Sequence, residues 1–491
     1  MELSYPAYTH KEGTLALEGD ESMKEVSLAK VLGRKDVLSL AFGSMIGWSW
    51  VMLANSWVSQ AGFMGAIIAF AISGVMSALV GLAYAELATT LPLAGGEFVY
   101  SYRAMGKFAA WISGWAITFA YLGIVAFEGV AFASAMDYLI KVPRIGYIWS
   151  VAGQDVYLSW AMIGVVMGGL LCFFNYKGIK EASSFQNWAT VLLAIGGIVF
   201  VAAGAFKGSI TNIGPMYKST PGFISVLLMC PALYLGFGVI PQVAEEIDLP
   251  RKIIGKLLIF SIFLAALWYV LIIFGVGMSA PCDLRATYDI PVADSMKNIF
   301  NSDIASGFMI VAGIAGIITS WNAFIIAASR ILFAMGRAKL LPPIFSSLHP
   351  KYQTPWFGIT LVFIVSVIAP FFGKSALLWF LNASSLGSTV AYVMVAIALL
   401  VLKKKEPELR RPYSISSTVG YMALIISVGF LLLFLPISPA ALKIPEWTIV
   451  FIWTAVGVLL ALSAKPIMNS ISWAEREHLI FGSELARKAE D

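Results

Sequence analysis

From about residue 37 onward, long apolar stretches alternate with short polar ones, and few of the long stretches show a polar face of the kind a soluble amphipathic helix carries. A helix needs roughly 20 apolar residues to cross the hydrocarbon core of a bilayer. On that template the pattern predicts twelve crossings: 37–58, 64–91, 108–139, 157–175, 187–206, 222–243, 256–279, 304–335, 356–372, 376–402, 418–437 and 446–464. The fold class is therefore all-α and polytopic. The polar opening, 1–36, predicts a tail whose Ser27–Arg34 stretch reads as a short interfacial helix, and 465–491 predicts a second tail.

Two of these crossings are interrupted. The first reads Leu38-Ser-Leu-Ala-Phe-Gly-Ser-Met-Ile-Gly-Trp-Ser-Trp-Val-Met-Leu-Ala54, with Gly43 and Gly47 bracketing Ser44. In hydrocarbon every backbone N–H and C=O needs a partner inside the protein. A helix that stops and restarts exposes N–H groups at one half and carbonyls at the other, which can hold a carboxylate or a cation without an ionised side chain. Close helix packing through small residues is the other reading of those glycines. The sixth crossing carries Pro231, which costs about 3 kcal/mol inside a helix, and then Gly236-Phe-Gly238. Interruptions in the first crossing and again five crossings later point to two inverted five-helix repeats, 37–206 and 222–402, followed by two further helices within 403–464.

Composition agrees with this pattern and narrows it. Hydrophobic residues make up 59% of the 491 residues and charged ones only 12%, against about 25% in an ordinary soluble domain; mean hydropathy is +0.83. Cys172, Cys230 and Cys282 are too far apart for a disulfide framework, and His10, His349 and His478 lie outside the apolar stretches, so no metal site is expected. The net charge of +5 calls for no nucleic-acid partner. With the N-terminus inside, inner loops such as Lys403-Lys-Lys405 and Arg410-Arg411 collect twice as many basic residues as outer ones, so both termini are expected in the cytoplasm of a cell-membrane protein. The polar start predicts no cleavable signal peptide. The loop from Ala280 to Asp303 is then external.

Four stretches carry a family resemblance: Gly43-Ser-Met-Ile-Gly47, the run from Tyr84 to Tyr100, Ala244-Glu-Glu-Ile-Asp-Leu-Pro-Arg251, and Ser329 to Pro342 with Thr354-Pro355. In this order the chain resembles the amino acid–polyamine–organocation superfamily of secondary transporters. The resemblance implies alternating access around a midplane site. It places a substrate carboxylate on the backbone of Gly43, Ser44, Met45, Ile46 and Gly47. It places the amine near carbonyls of Tyr234, Gly236, Phe237 and Gly238, with Phe237 as an aromatic gate. Some proton-coupled members carry a lysine in the fifth helix; matching Phe185-Gln-Asn-Trp puts Leu192 or Leu193 there. A sodium site would draw on Thr319, Ser320 and Ser329, and is the less expected coupling.

Several side chains bear on substrate. Glu128 lies inside the third crossing, where an ionisable group marks a pathway or proton relay by default; it is the candidate coupling carboxylate or a partner for the cationic end of a substrate, and the open reading beside these is a buried structural acid. Tyr121, seven residues earlier, is expected on the same face. Glu86 is expected to be structural or gating. Trp48 can meet an ammonium group through its ring, whereas Trp57 is expected to anchor at the interface. Asn322 and the patch Asn382–Ser388 can line a cavity or bridge helices. No cofactor is implied, and a catalytic cluster is lacking, so an enzyme is not expected. The expected function is an amino acid permease, proton-coupled or exchanging, with a permease for a decarboxylated amine such as ethanolamine or a polyamine as the second reading. A partner subunit is left open.

Overall fold

The computed structural model describes residues 30–439 and 441–485. The first crossing comprises α1 (Arg34–Met45), α2 (Ser49–Met52) and α3 (Ala54–Ala61). Then follow α4 (Phe63–Thr90), α5 (Gly96–Met105), α6 (Lys107–Ile140), a hairpin of β1 (Tyr147–Val151) and β2 (Gln154–Tyr157), α7 (Leu158–Lys177) and α8 (Ile179–Lys207). The sixth crossing comprises α9 (Thr220–Leu233), a 3-10 turn at Leu235–Gly238 and α10 (Val239–Gln242). It is followed by α11 (Arg251–Ser279), α12 (Cys282–Arg285), α13 (Pro291–Phe300) and α14 (Asp303–Arg337). The remainder is α15 (Trp356–Ile368), α16 (Leu377–Lys405), α17 (Ser417–Leu433), α18 (Ile444–Ser470) and α19 (Trp473–Leu485).

Among the described residues, 9 helices are long and apolar enough to cross a membrane, and up to 10 if the first crossing, bent by 66° between Met52 and Ala54, is one span. Two shorter apolar helices, Trp356–Phe372 and Ser417–Leu433, complete the apolar set. Large apolar side chains stay exposed along these helices, among them Val166, Trp188, Ile198, Phe263, Ile425 and Leu459. Such a surface is a liability in water and the ordinary one against lipid tails. The chain is a multi-pass membrane protein.

The interior is built around the two interrupted crossings. α1 packs against α8, α11, α14 and the 3-10 turn of the sixth crossing, while α6 packs against α14 and α16. α18 stands at the edge, with most of its residues facing outward.

One expectation about the N-terminal tail is corrected. Residues 30–33 are not helical: Leu32 pairs with Ile247 as an isolated β-bridge, and the N–H groups of Val31 and Leu32 donate to the Glu246 carbonyl. Residues 27–29 lie outside the described residues. At the other end, α18 continues to Ser470 and α19 docks on the bundle. Arg476 Nε donates to the Ala338 carbonyl at 3.1 Å, Arg103 donates to the Leu485 carbonyl at 2.7 Å, and the rings of Tyr102 and Phe481 lie 6.0 Å apart. Buried Arg476 and Phe481 give the segment a hold on the bundle that its polar composition concealed.

Candidate functional site

The first crossing leaves the helix at Ile46 (φ −111, ψ 70) and re-enters at Ser49, so the break falls on Ile46–Trp48, within and just beyond the glycine pair. The sixth loses its α-helical bonding after Leu233 and winds as a tighter 3-10 turn to Gly238. These two interruptions touch. Ser44 Oγ lies 2.8 Å from the Ala41 carbonyl and 3.1 Å from the Gly236 carbonyl, able to donate to either. A Cβ on Gly236 would stand 2.2 Å from Ser44 Oγ and 2.6 Å from Met45 N, so only glycine permits the approach. Tyr269 on α11 binds both halves, donating toward the carbonyls of Met45 and Leu233.

Beside this junction is a small cavity, about 10 Å³, lined by Ser44, Met45, Gly47, Glu128, Ser320 and neighbours. That is room for about one water, too little for an amino acid. Glu128 reaches the cavity from α6 because Gly47 has no side chain: a Cβ there would lie 2.0 Å from Glu128 Oε1. The carboxyl meets the Ser320 hydroxyl and the backbone N–H of Trp48, and Oε2 has no hydrogen-bond partner among the described residues. The acid is thus seated on the broken backbone of the first crossing, with neutral donors around it.

The break in the sixth crossing is serviced from α16. Pro231 interrupts the helix, and Ser385 Oγ both accepts from Ala232 N–H at 3.1 Å and donates to the Met229 carbonyl at 3.1 Å. Tyr392 donates to the Pro231 carbonyl at 3.3 Å. The 382–388 patch is therefore engaged with other helices, since Asn382 also donates to Glu446 on α18 at 2.9 Å. Phe237 stacks on Tyr392 with centroids 5.6 Å apart and meets Tyr84 edge-on at 5.2 Å. Tyr234 donates to the Phe70 carbonyl at 3.1 Å.

Other candidates point elsewhere. The Trp48 ring packs toward α14 over Gly313, and only its backbone faces Glu128. Tyr121 does not share a partner with Glu128; its hydroxyl lies 3.0 Å from the Gly238 carbonyl and 3.3 Å from Glu97. Trp57 is fully buried against Phe70 and Tyr269, at 4.6 and 5.7 Å, which replaces its expected anchor role with packing. Asn322 forms an amide chain, donating to Gln186 at 3.1 Å and accepting from Asn175 at 2.8 Å.

Gln186 is the residue sequence reasoning missed. Its Nε2 is within hydrogen-bonding distance of the Thr319 carbonyl, 3.1 Å, and the Ser39 carbonyl, 3.3 Å, so a neutral amide on α8 bridges α1 and α14. Thr319 donates toward the Gly43 carbonyl at 3.0 Å in the same region. Leu193, by contrast, packs near Gly316. The available signal was the amide pair Gln186-Asn187 at the mouth of the uncharged stretch 187–206. Ser329 donates to its own helix at Ile326 O, 2.9 Å.

Glu86 is fully buried near the end of α4 and holds the end of α16 together with the loop beyond it. Lys403 Nζ and Arg411 Nε each lie 3.1 Å from its carboxylate, and Ile415 N–H donates to it at 2.7 Å.

The model of a family described as amino acid permease matches residues 32–460. A methylthioribose transporter from Bacillus subtilis is 28% identical over 454 residues, covering 89% of this chain and 93% of its own length. A branched-chain amino acid permease from the same organism is 26% identical, covering 79% and 84%. A cationic amino acid transporter from Arabidopsis thaliana is 26% identical, covering 77% of this chain and 63% of its own.

Proposed function

The chain belongs to the amino acid permease family, within the amino acid–polyamine–organocation superfamily of transporters, and from that premise we propose that it is a secondary active transporter of an amino acid working by alternating access. The observation that carries this reading is the meeting of the two broken crossings at Ser44 and Gly236, with Glu128 at the same junction. Backbone around Ser44–Gly47 takes the substrate carboxylate, and carbonyls between Tyr234 and Gly238 take the amine, once the junction opens beyond its present small cavity. The relatives' substrates, branched-chain and cationic amino acids among them, support the substrate class.

In this reading the bent first crossing, the other nine long helices and the two short ones make twelve crossings, the first ten forming two inverted repeats. Both termini face the cytoplasm of a cell-membrane protein, in keeping with the loop basic residues. Glu128 carries the coupled proton, or the protein exchanges one substrate for another.

One observation favours the second reading. The Glu128 carboxyl already occupies the Trp48 N–H beside Gly47, where a substrate carboxylate would sit. A decarboxylated amine avoids that competition and pairs with Glu128 instead. Uptake into proteoliposomes decides between coupling modes. A pH gradient drives accumulation of a branched-chain or cationic amino acid in the wild type, and Glu128→Gln abolishes accumulation while leaving equilibrative exchange. Full gradient-driven accumulation by the folded variant removes Glu128 from the coupling role.

A further inference from the structure

The turn between α4 and α5 carries an acid that has no part in the transport scheme above. Gly95 (φ 102) and Gly96 (φ 33) adopt backbone open mainly to glycine. A Cβ on them would lie 2.5 Å from the Ala334 Cβ and 2.8 Å from the Pro241 Cβ. This tight turn starts α5 directly against α10 and α14 and buries Glu97 completely. α5 lies between the apolar spans Phe63–Thr90 and Lys107–Ile140, outside both.

The groups that meet the Glu97 carboxyl are neutral. Gln242 on α10 donates to Oε2, and the Tyr121 hydroxyl of α6 lies 3.3 Å from Oε1. Tyr84 of α4 faces it as well, and Tyr100 of α5 and Tyr392 of α16 complete the titratable shell. The charges on adjoining elements are engaged with one another: Glu245 with Arg337 at 2.9 Å, and Glu246 with Arg330 at 3.0 Å. Glu97 Oε1 also sits where a Cβ on Gly238 would be 3.3 Å away, directly against the break in the sixth crossing.

Tyr121 has one hydrogen and two acceptors, Glu97 and the Gly238 carbonyl at 3.0 Å. When Glu97 is protonated, its O–H donates to the Tyr121 oxygen, and Tyr121 gives its hydrogen to Gly238. When Glu97 loses that proton to water, the carboxylate draws the Tyr121 hydrogen to itself, because a charge-assisted bond outweighs a neutral one. The Gly238 carbonyl is then left without its donor.

We infer that Glu97 is a proton-operated latch on the sixth crossing: protonated, it holds the Leu235–Gly238 turn through Tyr121; ionised, it releases that turn. The turn leads through α10 to Glu246 and Ile247, which hold Val31 and Leu32, so release opens the site toward that side; only this last step rests on the transporter reading. Burial pushes the Glu97 carboxyl up from its ordinary range to about 7, against the opposing pull of its hydrogen bonds from Tyr121 and Gln242. The latched state therefore binds the proton more tightly than the released one. Latching is complete in acid and is lost as pH rises through about 7.

Amide hydrogen exchange of residues 235–242, without substrate and corrected for the intrinsic pH dependence of exchange, reads the latch directly. Wild-type protection falls about tenfold or more between acid and alkaline pH, the ratio carried by one unit of pKa difference between the two states. Glu97→Gln keeps protection at its acid level throughout, and Tyr121→Phe loses it throughout. A wild-type pH response preserved in either variant overturns the latch, and so does a wild type with no response; if Glu97→Gln fails to fold, Tyr121→Phe decides. A normal exchange response with no amino acid transported overturns the transport reading and leaves the latch standing.

Discussion

Glu86 and Glu128 are both buried acids on helices that the sequence marks as apolar, yet they live in opposite surroundings. Glu86 faces two cations and a backbone N–H at one edge of the bundle. Glu128 faces a hydroxyl and one backbone N–H at the centre, with an oxygen left over among the described residues. A buried acid with cations is a joint: removing it strands its partners and costs stability. A buried acid without them gains little for the fold and is the kind that handles protons or substrate. Burial is common to both; the charge of the partners is what differs.

The largest expected effect tests the joint. Glu86→Ala leaves Lys403 and Arg411 facing an empty carboxylate site and costs about 3–5 kcal/mol, read as a drop in thermal unfolding temperature in detergent, while the folded fraction keeps its ligand affinity. Unchanged stability would erase the contrast with Glu128. Next is Gly236→Ala, whose methyl would lie 2.2 Å from Ser44 Oγ. Forcing the two breaks apart costs about 1–3 kcal/mol, and uptake falls by far more than protein yield does. Ser385→Ala leaves the Ala232 N–H unsatisfied, for about 1–3 kcal/mol. Glu128→Gln is the smallest for the fold, at about 1 kcal/mol or less because an amide suits neutral donors, and it sharpens the contrast by abolishing gradient-driven accumulation. A stability loss as large as that of Glu86→Ala would make Glu128 a second joint.

The apolar helices, the two breaks and the two acids were legible because each is a local property of the chain: run length, Gly and Pro placement, or a carboxylate among apolar neighbours. What remained hidden depends on which helices meet. Gln186 looks like one more polar residue near a helix start until α1 and α14 are seen to place the Ser39 and Thr319 carbonyls beside it. Trp57 resembles an interface anchor until Phe70 and Tyr269 enclose it. Glu97 sits in the short stretch between the second and third predicted crossings, and only the glycine turn that carries it inward reveals it as buried.

The central claim is that the two breaks form one site for the two charged ends of an amino acid, and ligand-induced thermal stabilisation of the purified wild type tests it most directly. The panel pairs branched-chain and cationic amino acids with their decarboxylated amines, and includes methylthioribose. A ligand bound only to the folded state stabilises it by about 2.7 kcal/mol at a hundredfold excess over Kd. The account predicts that amino acids raise the unfolding temperature and their amines do not. Stabilisation by amines or methylthioribose, with none by amino acids, would contradict it and move the recognition from the Ser44–Gly47 backbone to Glu128.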